Sequence, residues 1–199
     1  SERLETARAG LAAATTGDMI YVGGGASAGD PSNAFDMFDT AKETWRPLPA
    51  LPKGLMNFAM AASGHYVFVA GGFAADAPGE PRRDVWAYDM DSAAWEKRSP
   101  LPHARAGHAM VQAGGRVYVI GGAGPSADKI QIYDPLADTW HVAAGFATPR
   151  RALAAATDGK RIYVVGGIRS DGGVSNALDV FDPASGAWTG LPPLPGARG

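Results

Sequence analysis

The chain contains no cysteine, which excludes disulfides, thiolate metal sites and a cysteine nucleophile. No apolar run approaches the ~18 residues of a membrane-spanning helix, so no membrane partner is expected. No stretch carries the 3.6-residue apolar period of an amphipathic helix. Neither sign of charge dominates: 18 Lys and Arg stand against 20 Asp and Glu, a net charge of −2. That balance gives no general drive towards nucleic acid or an anionic surface. The opening Ser1-Glu-Arg-Leu-Glu-Thr6 has no signal-peptide core; a cytoplasmic chain and a processed exported one both fit. No His-Glu-x-x-His pair is present. What the chain does have is 27 Gly, 15 Pro and 46% apolar residues, the composition of a packed, turn-rich fold.

The glycines fall in a pattern. Met19-Ile-Tyr-Val-Gly-Gly-Gly25 recurs as Tyr66-Val-Phe-Val-Ala-Gly-Gly72, as Arg116-Val-Tyr-Val-Ile-Gly-Gly122 and as Arg161-Ile-Tyr-Val-Val-Gly-Gly167. The first glycines of the pairs, Gly24, Gly71, Gly121 and Gly166, stand 47, 50 and 45 residues apart. Trp45, Trp95, Trp140 and Trp188 follow the same rhythm, as do Phe38-Asp39, Tyr88-Asp89, Tyr133-Asp134 and Phe181-Asp182. A repeat of this length points to a solenoid or propeller.

Each unit reads as four short strands. The first is small and alternating and has Ala12, Ala59, Ala109 or Ala154 twelve residues before the marker glycine. Small residues there suit a crowded central axis. The second is the Ile-Tyr-Val run, apolar on both faces. The third ends at the aromatic-Asp pair, whose Asp opens a turn. The fourth carries the tryptophan and stops at prolines, except in the third unit, which has Ala143-Ala-Gly-Phe146 instead.

Double glycine, aromatic-Asp turn and tryptophan in this order resemble the kelch repeat, and the resemblance covers essentially the whole chain. It implies an all-β fold, a β-propeller of four four-stranded blades in one domain, with blades at about 6–53, 54–103, 104–148 and 149–196. Kelch propellers more often have six blades. Four could close into a small ring, the arrangement favoured here, or form an arc of a larger propeller whose open faces would promote self-association.

The resemblance implies a non-catalytic binding or scaffold module that engages a protein segment or small anionic ligand at the channel-mouth loops. A sugar-metabolite enzyme of the kelch mutarotase type and a structural piece of a larger propeller are the alternatives. No cofactor, metal site or catalytic residue is expected: His65, His103, His108 and His141 fall at unrelated phases. Sixteen residues before the marker glycines stand Arg8, Leu55, Arg105 and Arg150, and three converging arginines would suit a carboxylate or phosphate. Arg198 shares their phase. The loops 26–32, 73–81, 123–127 and 168–175 vary in length and composition, as specificity loops do. Asn33, Arg83 and Asn176, six residues before the third-strand Asp, are candidate contacts, as is Phe73 beside its glycine pair. Trp86 is the one tryptophan outside the repeat and is expected as an exposed anchor for a partner.

Overall fold

The computed structural model describes residues 6–146 and 148–199, and among these every regular element is a strand. The first blade contains β1 (Ala9–Thr16), β2 (Met19–Ser27), the short β3 (Asp30–Pro31), β4 (Phe35–Asp39) and β5 (Thr44–Pro47). The second contains β6 (Ala59–Ser63), β7 (Tyr66–Ala70), β8 (Val85–Asp89) and β9 (Ala94–Lys97). The third has β10 (Ala109–Ala113), β11 (Arg116–Ile120), β12 (Lys129–Asp134) and β13 (Thr139–Ala144). The ribbon strand β14 (Arg150–Arg151) then precedes β15 (Ala154–Thr157), β16 (Ile162–Val165), β17 (Ile168–Arg169), β18 (Leu178–Asp182) and β19 (Ala187–Leu191).

Each blade is an antiparallel sheet in sequence order, β1-β2-β4-β5, β6-β7-β8-β9, β10-β11-β12-β13 and β15-β16-β18-β19, while β14 pairs with β17. The expected all-β propeller of four-stranded kelch-like blades is what the chain forms. The alternating small residues of the innermost strands let β1 pack on β6, β6 on β10 and β10 on β15. Three cores lie between consecutive blades. Phe35, Met37, Phe58 and Tyr88 share the first, Phe68, Leu101 and Tyr133 the second, and Tyr118, Ile130, Leu153 and Phe181 the third.

Two recurring devices lock each blade. The Asp of the aromatic-Asp pair caps its turn: Asp39 Oδ1 accepts from the Ala41 and Lys42 amides, and Asp89 Oδ1 from those of Asp91 and Ser92. The tryptophans stitch neighbours together. Trp95 Nε1 donates to Pro49 O at 2.9 Å, Trp140 Nε1 to Ser99 O at 2.8 Å and Trp188 Nε1 to Ala144 O at 3.2 Å. The preceding blade supplies the acceptor each time.

Around the axis the blades are joined by a backbone chain. The Asn57 amide donates to Gly10 O, the Gly107 amide to Asn57 O and the Ala152 amide to Gly107 O, at 2.6–2.8 Å. All four residues stand fourteen before a marker glycine and have φ between +51° and +66°. Ala152 alone among them is neither glycine nor asparagine, and a Cβ at left-handed φ costs about 1–2 kcal/mol. Ala152→Gly should therefore raise stability by about 0.5–1 kcal/mol after the entropy of the added glycine is deducted. In urea unfolding the midpoint should rise with the slope unchanged.

The ring that the sequence favoured does not close. Among the described residues no backbone bond joins Ala152 back to Gly10, and no packed core joins the first and fourth blades. Tyr163, Val165 and Leu178 of the fourth blade are half-exposed, whereas Tyr118, Ile120 and Ile130, at the same phases of the third, are buried. On the first blade Ile20 and Phe38 are half-exposed where the second buries Val67 and Tyr88. The four blades form an arc.

Candidate binding site at the loop face

The segments that follow the double glycines and those that lead into the innermost strands share one end of the blades. Their anchoring repeats. The second glycine of each pair donates its amide to the carbonyl sixteen before the next marker: Gly25 to Leu55 O, Gly72 to Arg105 O and Gly122 to Arg150 O, at 2.7–2.8 Å. Gly167 does the same to Arg198 O at 2.8 Å. The amides of Leu55, Arg105 and Arg198 answer by donating to Ser32 O, Arg82 O and Ser175 O, closing the far end of the loops of the first, second and fourth blades. Leu55, Arg105, Arg150 and Arg198 therefore contribute their backbone to the fold, whatever the side chain.

The arginine side chains turn inwards. Arg8 Nη2 meets Asp36 Oδ2 at 2.8 Å, and Arg150 Nη2 meets Asp179 Oδ2 at 2.7 Å, each guanidinium being 2% exposed. Arg150 also donates Nε to Gly166 O at 2.7 Å and covers the Phe146 ring. Arg105 is fully buried and forms no ion pair among the described residues, Asp128 acting on it only at longer range; it donates to the carbonyls of Ala104, Pro125 and Ser126. Desolvation lowers its pKa to about 10.

The third-strand phase that holds Asp36 and Asp179 holds Trp86 in the second blade and Gln131 in the third. Arginine is paired with aspartate in the first and fourth blades, and the second blade has Leu55 and Trp86 at the two positions. In the third, Gln131 turns instead to the His103 backbone, accepting its amide at 2.7 Å and donating to its carbonyl at 3.1 Å. Trp86 is not an exposed anchor. It is half-buried, its Nε1 is out of reach of solvent, and the Lys97 ammonium sits 5.8 Å from its ring. Asp36 and Asp179 are partners that the sequence reading missed.

If the Arg150–Asp179 pair is a fold element, Asp179→Ala should cost about 2–3 kcal/mol, because it strands a buried cation while Asp179 itself is partly solvated. Arg150→Leu combined with Asp179→Leu should cost less than Asp179→Ala alone, since the second blade is already apolar at both positions. A double-mutant cycle in urea reads the coupling.

The other candidates remain on the surface. Asn33, Arg83 and Asn176 are exposed, and their carbonyls accept the amides of Leu51, Leu101 and Leu194. Arg83 Nε also holds Leu101 O at 2.6 Å, and Asn176 Nδ2 reaches Leu194 O at 3.3 Å. Phe73 is half-buried at the base of its loop, paired through its backbone with Met56. A recess of about 230 Å³ between the third and fourth blades is lined by Ala123, Pro149, Arg151 and Ser170. A second of about 240 Å³, between the first and second, is bordered by the Lys53–Asp76 ion pair at 2.7 Å. Arg151 is exposed at the first recess and was not singled out from sequence.

His65 Nδ1 lies 3.1 Å from Asp91 Oδ2 on the surface, but no group of three or more His, Cys, Asp or Glu that could hold a metal occurs among the described residues. His108 is buried against the Gly71 and Gly122 backbone, and among the described residues neither ring nitrogen makes a well-formed hydrogen bond, the Ala70 backbone being its nearest polar influence. Desolvation, and then the Arg105 charge, lower its pKa to about 3, with a small opposing pull from the Ala70 backbone.

A family model described as the KLHDC2/KLHL20/DRC7 Kelch-repeats domain matches residues 1–122 and again 57–197. Kelch-like protein 35 of Mus musculus is 34% identical over 182 residues, covering 88% of this chain and 29% of that protein. Kelch-like protein 40 of Mus musculus is 28% identical over 193 residues, 92% of this chain and 31% of that protein. Alpha-scruin of Limulus polyphemus is 24% identical over 174 residues, 85% and 14% respectively. The chain thus spans less than a third of the length of these relatives. Among solved structures, that of YjhT superposes with a TM-score of 0.84 at 20% identity, covering 98% of this chain and 68% of that one. About a third of the larger chain therefore has no counterpart here. On the family match and the relatives together, the chain belongs to the kelch-repeat family.

Proposed function

We propose that this chain is a non-catalytic binding module that engages a protein segment, or a small anionic ligand, at the loop face. One observation carries the reading: three of the four loops are clamped in the same way at both ends yet differ between the clamps. The amides of Ser32, Arg82 and Ser175 return to Gly25 O, Gly72 O and Gly167 O at 2.7–2.9 Å, while the residues between them share neither length nor composition. A constant frame with variable, exposed loops is the usual division between scaffold and recognition. Asn33, Arg83 and Asn176 are the proposed contacts, with Phe73 at the base of its loop. Arg8, Arg105 and Arg150 serve beneath them, holding the floor of the face and adding positive potential.

The test uses a peptide selected by display against the folded chain. Replacing residues 75–81 with a Gly-Ser stretch of equal length, or Arg83→Ala with Asn176→Ala, should abolish peptide binding and leave thermal unfolding within a few degrees. Undiminished binding in both variants would sink the loop-face reading.

The half-exposed faces of the terminal blades favour a second reading, compatible with the first: the four blades are an arc of a larger propeller, completed by further blades. Sedimentation of the chain alone should then show concentration-dependent association through these faces. A compact monomer at all concentrations that does not bind an apolar dye would contradict it.

A further inference from the structure

At the opposite end of the blades from the loops, the third and fourth blades enclose a cleft of about 730 Å³. It lies between the start of β11 and the two turns of the fourth blade, and is lined by Arg116, Tyr118, Asp158, Lys160, Arg161 and Asp182. Its volume is in the range of small-molecule sites. Three cations meet two carboxylates there, and the carboxylates already have partners. Asp158 Oδ1 accepts the Lys160 and Arg161 amides at 2.9 and 2.7 Å, and its Oδ2 accepts Tyr163 Oη at 3.0 Å and lies 3.6 Å from Arg161 Nη2. Asp182 Oδ1 accepts the Ala184 amide at 2.9 Å.

The cations are less engaged. The side chains of Arg116 and Lys160 are exposed and have no hydrogen-bond or ion-pair partner among the described residues. Arg161 has the long contact to Asp158 and lies over the Tyr163 ring, 5.5 Å from its centre. Arg116 and Arg161 also occupy one phase of the repeat, five residues before the marker glycine, where the first two blades have Met19 and Tyr66. Cations thus replace apolar residues only in the two blades that border the cleft. Guanidinium groups with free donors beside an apolar floor suit an oxyanion attached to a small organic body.

We propose that this cleft binds a small organic polyanion through its carboxylate or phosphate oxygens, held by Arg116, Lys160 and Arg161. The site is independent of the loop face. Citrate and pyrophosphate, each titrated into isotope-labelled protein at fixed ionic strength, are the probes. Saturable amide shifts are expected at residues 114–118, 158–161 and 182–184. Arg116→Gln and Lys160→Gln should each weaken binding by about five-fold or more, as expected for loss of a charge-assisted contact. Both side chains are exposed, so thermal unfolding should not change. Tighter binding of citrate or of pyrophosphate identifies the carboxylate or the phosphate as the preferred group. Three results would overturn the proposal: shifts that chloride reproduces, affinity unchanged in both variants, or a response only to acidic peptides.

Discussion

Gly71→Ala is expected to destabilise the chain by about 2–5 kcal/mol, a large part of the total stability of an ordinary domain. Two costs combine. Gly71 has φ +66°, where a side chain costs about 1–2 kcal/mol. A Cβ there would also stand 2.4 Å from Arg105 O and 2.9 Å from the His108 ring. The carbonyl cannot move aside freely, because it accepts the Gly72 amide that docks the third blade on the second. Relieving the overlap means shifting one blade against another, which accounts for the remaining ~1–3 kcal/mol. Gly64→Ala isolates the first cost: its φ is +59°, but nothing lies within 4 Å of the added carbon. That variant should lose only about 1 kcal/mol. Urea unfolding of the pair measures the difference, and equal losses would refute blade docking as the reason for the repeated glycine.

Acid should destabilise the fold through His108 well before the carboxylates titrate. In the folded chain this imidazole stays neutral down to about pH 3, whereas in the unfolded chain it gains a proton near pH 6.5. Between these values the unfolded state binds more protons, so stability falls as pH falls, by about 1.4 kcal/mol per unit. From pH 6.5, where the unfolded imidazole is half protonated, to pH 4.5 the loss is about 2 kcal/mol. The carboxylates act lower. Asp39 and Asp89 are held below the usual aspartate range, the first chiefly by Lys42 and the second by turn amides, and the Asp158 pKa is lowered to about 2, chiefly by the Arg161 amide. Their contribution is present above the ordinary aspartate value and is lost only as pH drops through the lowered ones. His108→Leu places at this position the residue that the first and fourth blades have, Leu11 and Leu153. It should flatten the stability profile between pH 6.5 and 4.5. A profile as steep as the parent's would assign the acid sensitivity to other groups.

The spine of the fold was legible because it is repeated: four copies of one strand and one turn leave little freedom for other readings. The inward-facing arginines were found by the same counting, but their role was not. Counting identifies a position, and here the position is defined by its backbone carbonyl, which Leu55 supplies as well as Arg105 does. The legible signal was the co-occurrence of Arg8 with Asp36 and of Arg150 with Asp179 at fixed phases, a carboxylate with each arginine, while the second blade has neither charge and carries Leu55 and Trp86 there. His108 was visible too, as the polar exception in a series with Leu11, Phe58 and Leu153. Arc and closed ring, by contrast, require the same apolar blade faces. Strand patterns do not separate them, whereas the unjoined axial bonds of Gly10 and Ala152 do.

The central claim is that recognition belongs to the loops after the double glycines while the repeated residues build the frame. A backbone NMR footprint of a display-selected peptide on labelled protein tests it most directly. The account predicts perturbed amides within 26–33, 73–83, 123–128 and 168–176, with the turns at 40–43, 90–93, 135–138 and 183–186 unchanged. A footprint confined to those turns, with the loops silent, would contradict it.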